Sequence, residues 1–267
     1  MKSADLKSGI VVRLRAAGCV FAEDEADVLL STTEEPAAID AMVARRAAGV
    51  PLEQVVGWAE IAGVRVTVRP GVFVPRRRTE ALIRAAVAVT KPGATVLDLC
   101  CGSGAIGAAI ATAIPGIRLW ASDVDPTAVR CARENLAAFG ADVRQADVDD
   151  AIPSDLRGSV DVLVANVPYV PSAALQYLPA EARLHEPAYA HDGGADGLAV
   201  LRRVAPRAPH WLRPSGWLFT ECSLDQADAA AVILRDASLS ASVVYDDELD
   251  VAVVAGHRLI DGGHLRR

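Results

Sequence analysis

The chain has 267 residues, enough for one large domain or for one domain with a small appendage. Hydrophobic residues make up 52% of it, which supports a sizeable core and argues against disorder. The 27 basic and 34 acidic side chains give a net charge of −7, so the chain lacks the positive surface of a protein that grips nucleic acid unaided.

Five cysteines are spread along the chain, an odd number without any Cys-x-x-Cys spacing. This pattern argues against a disulfide framework and against a zinc site, so no metal is expected. The first residues form no apolar signal segment, and no apolar run reaches the roughly 18 residues that a membrane helix needs. We therefore expect a cytoplasmic protein without membrane contact.

The first 70 residues predict a helical segment followed by a β-hairpin. Residues 1–50 carry apolar side chains at helical spacing, and Pro36 lies where a first turn would start, which favours two or three short helices. Val64 to Val68 alternates apolar and polar residues after a turn at Gly63, which is typical of a hairpin arm. We expect this part to position a substrate or partner, or to support the fold.

The segment from Phe73 to Glu80 joins the hairpin to an apolar helix predicted over Ala81 to Val89. Thr79 is placed to cap that helix. Glu80 falls in its first turn, where the helix dipole favours a carboxylate. Three consecutive arginines, Arg76 to Arg78, are the one candidate for a basic patch, and a solvated surface turn explains them equally well.

The next strand and the loop after it predict a cofactor site. Thr95 to Cys100 is typical of a central strand, with Asp98 near its end. The turn into the following helix holds three glycines, Gly102, Gly104 and Gly107, which let a ligand approach the backbone because a Cβ would collide with it. The Gly-x-Gly-x-x-Gly spacing also occurs in dinucleotide-binding proteins, so this motif alone leaves NAD open.

A second strand, Ile117 to Asp123, ends in a carboxylate about 20 residues after the glycine turn. A carboxylate at that spacing accepts both hydroxyls of an adenosine ribose, in S-adenosylmethionine (SAM) as well as in NAD. Asp125 is expected to cap the following helix. Asp147 ends a third strand, where it is either an acceptor for the adenine amino group or a turn residue.

The fourth strand, Val160 to Ala165, is short, apolar and β-branched, and it runs directly into Asn166-Val167-Pro168-Tyr169. Ligands of open α/β sheets bind beyond the carboxyl ends of the strands. A carboxamide, a proline and an aromatic ring at this point therefore predict a reacting site. A local turn built by asparagine and proline is the alternative.

Residues 170–197 are rich in proline and glycine, and a stretch of this length at the active edge of a sheet favours a functional lid. The rest of the chain alternates helices with strands and ends in an antiparallel pair of strands. Such an ending fits SAM-dependent methyltransferases better than NAD dehydrogenases. The predicted elements are a helix over Leu198–Ala205, a strand over Gly216–Cys222, a helix over Gln226–Arg235, and strands over Ser242–Tyr245 and Val251–Ala255.

With these residues in view, the chain resembles the HemK-type protein N5-glutamine methyltransferases, also called PrmC-type, which modify translational release factors. The resemblance covers almost the whole chain. It rests on Phe73-Val74-Pro75-Arg76 with Thr79-Glu80, Asp98 to Gly104, Asp123, Asn166 to Tyr169, Glu186-Pro187, and Gly193 to Leu198.

Three positions depart from the family pattern. Cys100 stands where a glycine is usual, and Val167 stands where the catalytic loop usually has a second proline. Val148 replaces a large side chain often found beside adenine. Because residue 167 contributes its backbone carbonyl, and Pro168 holds that residue extended, the substitution need not remove the acceptor.

The resemblance implies an α/β fold of the class I SAM-dependent methyltransferase type. This is a Rossmann-like, seven-stranded sheet whose last strand is antiparallel, with a small N-terminal helical domain and a linking β-hairpin. The implied division is residues 1–50 for the helical domain, 51–71 for the hairpin linker and 72–267 for the catalytic domain.

The resemblance also implies which residues act. The Asn166 side-chain oxygen and the carbonyl of residue 167 would accept the two N–H bonds of the substrate amide, with Tyr169 stacked on the amide or near the sulfonium. The implied catalytic residues are Asn166, Val167, Pro168 and Tyr169. The implied cofactor-binding residues are Asp98, Cys100, Cys101, Gly102, Ser103, Gly104, Asp123, Asp147, Val148 and Asn166. The implied substrate-binding residues are Phe73, Pro75, Arg76, Glu80, Asn166, Tyr169 and Glu186.

The implied reaction transfers a methyl group from SAM to the side-chain amide nitrogen of a glutamine, in the Gly-Gly-Gln motif of a peptide chain release factor. That protein substrate is the expected partner. The first alternative is N6-adenine methylation of nucleic acid, since the same tetrapeptide can hold an exocyclic amine, but the acidic charge counts against it. The second is a non-catalytic SAM-binding module, suggested by the loop substitutions.

Overall fold

The computed structural model describes residues 3–260 of the chain. The strands are β1 (Trp58–Ile61), β2 (Val64–Thr67), β3 (Thr95–Leu99), β4 (Arg118–Asp123), β5 (Asp142–Gln145), β6 (Val160–Ala165), β7 (Leu212–Cys222), β8 (Ser240–Asp246) and β9 (Val251–His257). The helices are α1 (Ser3–Ala16), α2 (Ala22–Thr32), α3 (Pro36–Ala47), α4 (Leu52–Val56), α5 (Glu80–Val89), α6 (Ala105–Ala113), α7 (Pro126–Leu136), α8 (Ala180–His185), α9 (Ala199–Val204), α10 (Ala208–Trp211) and α11 (Ala227–Asp236).

Within the described part of the chain, seven strands form one sheet in the order β5-β4-β3-β6-β7-β9-β8. Strands β3 to β7 run parallel, whereas β9 runs antiparallel to both of its neighbours, β7 and β8. The predicted fold class is therefore confirmed, including the antiparallel last strand. Leu99 is in register with Ser122 and Ala165, so the carboxyl ends of β3, β4 and β6 meet at one edge of the sheet.

The central strands β3 and β6 are mainly apolar because both faces of the sheet are covered. On β3, Val96 belongs to the core formed with α5, α6 and α7, while Leu97 belongs to the core formed with α9 and α11. On β6, Val162 and Leu163 divide between the two cores in the same way. Successive side chains of a strand point to opposite faces of the sheet. The register of the strands therefore decides which side chains lie next to each other at the carboxyl ends of β3, β4 and β6.

The N-terminal helices have a core of their own, whereas the β1-β2 hairpin packs on the sheet. Leu14, Leu29 and Val43 are buried together in the helical segment. Ile61 and Val66 of the hairpin belong instead to the core that covers one face of the sheet. The division at residues 50 and 71 stays a prediction, and residues 1–2 and 261–267 of the predicted domains lie outside the described residues.

Two helix starts test the predicted caps. The Asp125 side chain accepts the N–H of Thr127 at 2.8 Å, so the predicted cap of α7 is confirmed. The predicted Thr79 cap is wrong. Thr79 has helical dihedral angles, makes no capping hydrogen bond, and receives the side-chain amide of Asn166 on its hydroxyl instead.

Residues 170–197 are irregular but not structureless. They contain a 3₁₀ segment over Ser172–Tyr177 and the short helix α8. Gln54 donates to the carbonyl of His185 at 3.2 Å, and Arg46 pairs with Glu181 at 3.0 Å, so the segment is tied to the N-terminal part. In the described residues, no helix is long and apolar enough to cross a membrane.

Candidate active site

A cavity of about 630 Å³ opens at the carboxyl edge of the sheet. Thirteen of the predicted site residues line it, namely Phe73, Pro75, Cys100, Cys101, Gly102, Ser103, Asp123, Asp147, Val148, Asn166, Val167, Pro168 and Tyr169. The other five do not line it, namely Arg76, Glu80, Asp98, Gly104 and Glu186. The volume falls in the usual range for small-molecule sites.

The carboxylate of Asp123, at the end of β4, holds the glycine turn through hydrogen bonds to the backbone. Asp123 accepts the N–H of Gly102 at 2.8 Å on Oδ2 and the N–H of Asp125 at 2.9 Å on Oδ1. Burial raises the pKa of Asp123, and these backbone donors partly offset that effect by stabilising the charge. A carboxylate oxygen accepts more than one hydrogen bond, so Asp123 keeps capacity for a ligand in the cavity.

Asp98 lies beneath the turn rather than in the cavity. Its Oδ2 accepts the N–H of Gly107 at 3.0 Å, and its side chain is fully buried. Burial raises its pKa to about 7. The structure therefore places Asp98 where it supports the start of α6, without contact to the cavity. Gly104 has a packing role, since an added Cβ would lie 3.0 Å from Leu136.

Asp147 and Val148 were predicted to lie beside the adenine of the cofactor. Asp147 pairs with Arg203, an arginine that also lines the cavity, at 2.7 Å. Val148 is buried with a φ of +61°, an unusual conformation for a β-branched residue, and its carbonyl accepts the Ser122 hydroxyl at 2.7 Å. The backbone at this position is thus held by a side chain of the neighbouring strand.

The tetrapeptide after β6 projects into the same cavity. The Asn166 amide nitrogen donates to the Thr79 hydroxyl at 3.3 Å, and the Tyr169 hydroxyl donates to Oε1 of Glu221 at 3.2 Å. Burial, with the Glu221 charge nearby, raises the pKa of Tyr169, so the ring stays neutral. Val167 is buried, and its side chain packs in the sheet core.

Arg76 and Glu186 contact each other instead of the cavity. The Arg76 guanidinium bonds both oxygens of Glu186, at 2.6 and 2.8 Å, and the Glu186 side chain is fully buried. His191 Nε2 lies 2.8 Å from the same carboxylate, and its ring packs edge-on against Phe73. We call Phe73, Arg76, Glu186 and His191 the clamp, because they join the segment before α5 to the segment after β6.

Arg77, Arg78 and Glu80 lie in three different environments. Arg77 is exposed, while Arg78 is half-buried with its guanidinium 5.5 Å from the Tyr169 ring centroid. The triplet is thus neither a solvated turn nor one basic patch. Glu80 accepts the backbone N–H of Ala62 in the hairpin turn at 3.3 Å, so it connects α5 to the hairpin, outside the cavity.

Several known proteins are similar to this chain in sequence. The methyltransferase small domain model matches residues 63–187. Release factor glutamine methyltransferase of Mycolicibacterium smegmatis is 40% identical over 74% of this chain and 69% of its own length. The Geobacter sulfurreducens protein of the same name is 35% identical over 85% of this chain and 79% of its length. The chain belongs to the release factor glutamine methyltransferase family.

This membership confirms the resemblance found in the sequence, and a solved structure supports the class I methyltransferase fold. A methyltransferase from Pyrococcus furiosus superimposes with a TM-score of 0.58 over 81% of this chain and all of that one. The two sequences are 16% identical, so that match concerns the fold alone. The roles of individual residues in this family member stay predictions.

One family departure has a measurable cost. Cys100 stands where the resemblance implies a glycine, and it has a φ of +57°, a left-handed conformation that strains a residue with a Cβ. We expect Cys100→Gly to be about 1 kcal/mol more stable than Cys100→Ala, because glycine alone relieves that strain. Urea unfolding of the two variants measures the difference.

The matched control for this prediction is Cys222, a buried thiol in β7 outside the positive-φ residues. There the order should reverse, with glycine less stable than alanine by roughly 0.5–1 kcal/mol. Equal stability of the two Cys100 variants would contradict the strain at this turn.

Several cavity residues escaped the sequence reasoning. Thr79 and Arg78 line the cavity from the turn before α5, and Tyr189 and His191 line it from the segment after β6. Thr79 and Arg78 belong to a predicted motif and to the predicted basic patch, but neither was assigned to the cavity, and Tyr189 and His191 lie just after the Glu186-Pro187 motif. Glu221 had a usable signal: it lies near the end of a parallel strand, as Asp98 and Asp123 do on β3 and β4.

Proposed function

We propose that the cavity binds SAM and that the chain methylates the side-chain amide nitrogen of a glutamine in a peptide chain release factor, within its Gly-Gly-Gln motif. The observation that carries the proposal is the placement of Asn166 and Val167 in one cavity with the glycine turn of β3. The family relatives, which are named for that reaction, support it.

The residues present fit SAM. Gly102 has a φ of +56°, lines the cavity, and has nothing within 4 Å of an added Cβ, so the space beside its backbone is open to a ligand. Asp123 would accept the ribose hydroxyls, as carboxylates do at this position of such sheets. Asp147 and Val148 would contact the adenine, and the backbone from Cys100 to Ser103 would border the rest of the cofactor.

SAM supplies an electrophilic methyl group when it is bound. An amide nitrogen is a poor nucleophile because its lone pair is delocalised into the carbonyl. Asn166 Oδ1 and the carbonyl of Val167 would accept the two amide N–H bonds, which fixes the nitrogen and stabilises positive charge developing on it. Pro168 holds residue 167 extended, and the Tyr169 ring would lie against the planar amide.

The two alternatives receive no support from the comparisons. The relatives from Mycolicibacterium smegmatis and Geobacter sulfurreducens, which match 74% and 85% of this chain, are both named release factor glutamine methyltransferases. A cytoplasmic location follows from the proposed substrate, because release factors work on ribosomes.

The test is to incubate the purified protein and SAM with a release factor and to measure the intact mass of the release factor. We expect a mass gain of one methyl group. A release factor whose Gly-Gly-Gln glutamine is replaced by alanine is the control, and it should gain nothing. Bound SAM without any methylation of the unaltered release factor would reject the proposal.

A further inference from the structure

Glu221 is the buried acid beside the reacting tetrapeptide that no motif pointed to. It lies near the end of β7, next to β6, and is 2% exposed. Burial raises the pKa of Glu221, and the side chains of Thr79, Tyr169 and Asn166 act against that rise. Among the described residues, Tyr169 donates to Oε1 at 3.2 Å, whereas Oε2 is buried without a partner at hydrogen-bond geometry.

A carboxamide has two different ends, and its neighbours decide which end faces the cavity. The nitrogen of Asn166 donates to the Thr79 hydroxyl. Val164 of β6 pairs with Phe219 of β7 in parallel register, so Asn166 and Glu221, each two residues further along, lie side by side at the ends of these strands. An ionised carboxylate only accepts hydrogen bonds, so the oxygen end of Asn166 is repelled from this side. The oxygen end of Asn166 is therefore the end that faces the cavity, which Asn166 lines.

We propose that Glu221 is a positioning residue for methyl transfer: its carboxylate, with the Thr79 hydroxyl, holds the amino end of Asn166 and so turns Asn166 Oδ1 toward the substrate. The inference deepens the proposed function and rests on it for the identity of the substrate. Glu221 itself does not line the cavity, so it acts through Asn166 and Tyr169.

The orientation should depend on the charge of Glu221. A protonated carboxyl group can donate to Asn166 Oδ1, which would allow the carboxamide to turn over. Burial raises the pKa of Glu221, while Arg78 and the hydroxyls of Thr79 and Tyr169 act in the opposite direction. Besides Arg78 and Tyr169, the titratable neighbour is Cys222 on the same strand. Activity should therefore fall as the pH falls through the pKa of Glu221.

The test uses Glu221→Gln, which keeps the shape but adds a donor. The matched control is Thr220→Val, because Thr220 is the adjacent residue of β7, fully buried, with a hydroxyl that has no partner in the described structure. Successive strand residues face opposite sides of the sheet, so this control changes the strand without touching Asn166.

The first readout needs no substrate. NMR measures hydrogen exchange of the Asn166 side-chain amide, identified by its absence in Asn166→Ala. We expect Glu221→Gln to speed this exchange about tenfold or more, because one of the two restraints on the amide group is lost. Thr220→Val should exchange like the wild type. Unchanged exchange in Glu221→Gln would overturn the inference, whatever the activity.

The second readout is methyl transfer to the release factor. We expect Glu221→Gln to lower kcat about 10- to 100-fold with SAM affinity unchanged, and to lose the acid limb of the wild-type pH profile. Thr79→Val should show a similar loss, and Thr79→Ser should restore activity. A lower kcat with the acid limb retained, or with SAM affinity lost in parallel, would assign Glu221 a structural role only.

The two readouts separate the two proposals. If the wild type methylates no release factor while the exchange results are as expected, the proposed function fails and the positioning of Asn166 by Glu221 stands. If the wild type is active while Glu221→Gln exchanges and reacts like it, the positioning fails and the function stands.

Discussion

Replacement of Asn166 by alanine is expected to lower methyl transfer about 1,000-fold while SAM still binds. The variant removes one of the two oxygens that would hold the substrate amide, and loss of one preorganised hydrogen-bond partner has effects of this size in related sites. Single-turnover transfer of labelled methyl to the release factor measures the rate. Calorimetric titration with SAM measures the binding.

The control is Gln176→Ala, which truncates an exposed carboxamide in the segment after β6, outside the cavity. It should leave the rate unchanged. If Asn166→Ala kept most of its activity, the side-chain oxygen at residue 166 would not be an acceptor in the reaction. A parallel loss of SAM binding would instead place Asn166 with the cofactor.

Replacement of Glu186 by alanine is expected to destabilise the fold by about 3 kcal/mol. It leaves the Arg76 guanidinium, whose side chain is 26% exposed, without the carboxylate that it contacts twice. It also removes the carboxylate that lies 2.8 Å from Nε2 of the buried His191. Urea unfolding at neutral pH measures the change in the free energy of unfolding.

A surface ion pair with the same geometry provides the control. Arg69 also bonds both oxygens of its partner, Glu134, but the two side chains are 55% and 47% exposed. Glu134→Ala should therefore change stability far less. Equal effects of the two variants would show that burial does not strengthen the clamp. The comparison also tests whether Arg76 and Glu186, which were predicted to bind the substrate, stabilise the fold.

The elements of the fold followed from local patterns in the sequence. Val160–Ala165 is a strand with the predicted bounds, because a β-branched apolar run between turn residues has few other solutions. Asp125 caps α7 for an equally local reason. The start of β7 was predicted too late, at Gly216. The strand begins at Leu212 and passes through an irregular pairing with β6, with Ser215 at a φ of +66°.

The side-chain network of the site did not follow from local patterns. Asn166 and Thr79 are 87 positions apart, Tyr169 and Glu221 are 52 apart, and Arg76 and Glu186 are 110 apart. Only the packed fold brings such residues together. Most of the motif residues line one cavity. The motifs did not reveal that Thr79 is bonded to Asn166 instead of capping α5, or that Arg76 and Glu186 form an ion pair.

The most direct test is a crystal structure of the protein with S-adenosylhomocysteine and a peptide containing Gly-Gly-Gln. The glutamine amide nitrogen should lie about 3 Å from both Asn166 Oδ1 and the carbonyl oxygen of Val167. A peptide glutamine bound elsewhere, or Asn166 with its oxygen turned away from the cavity, would contradict the account.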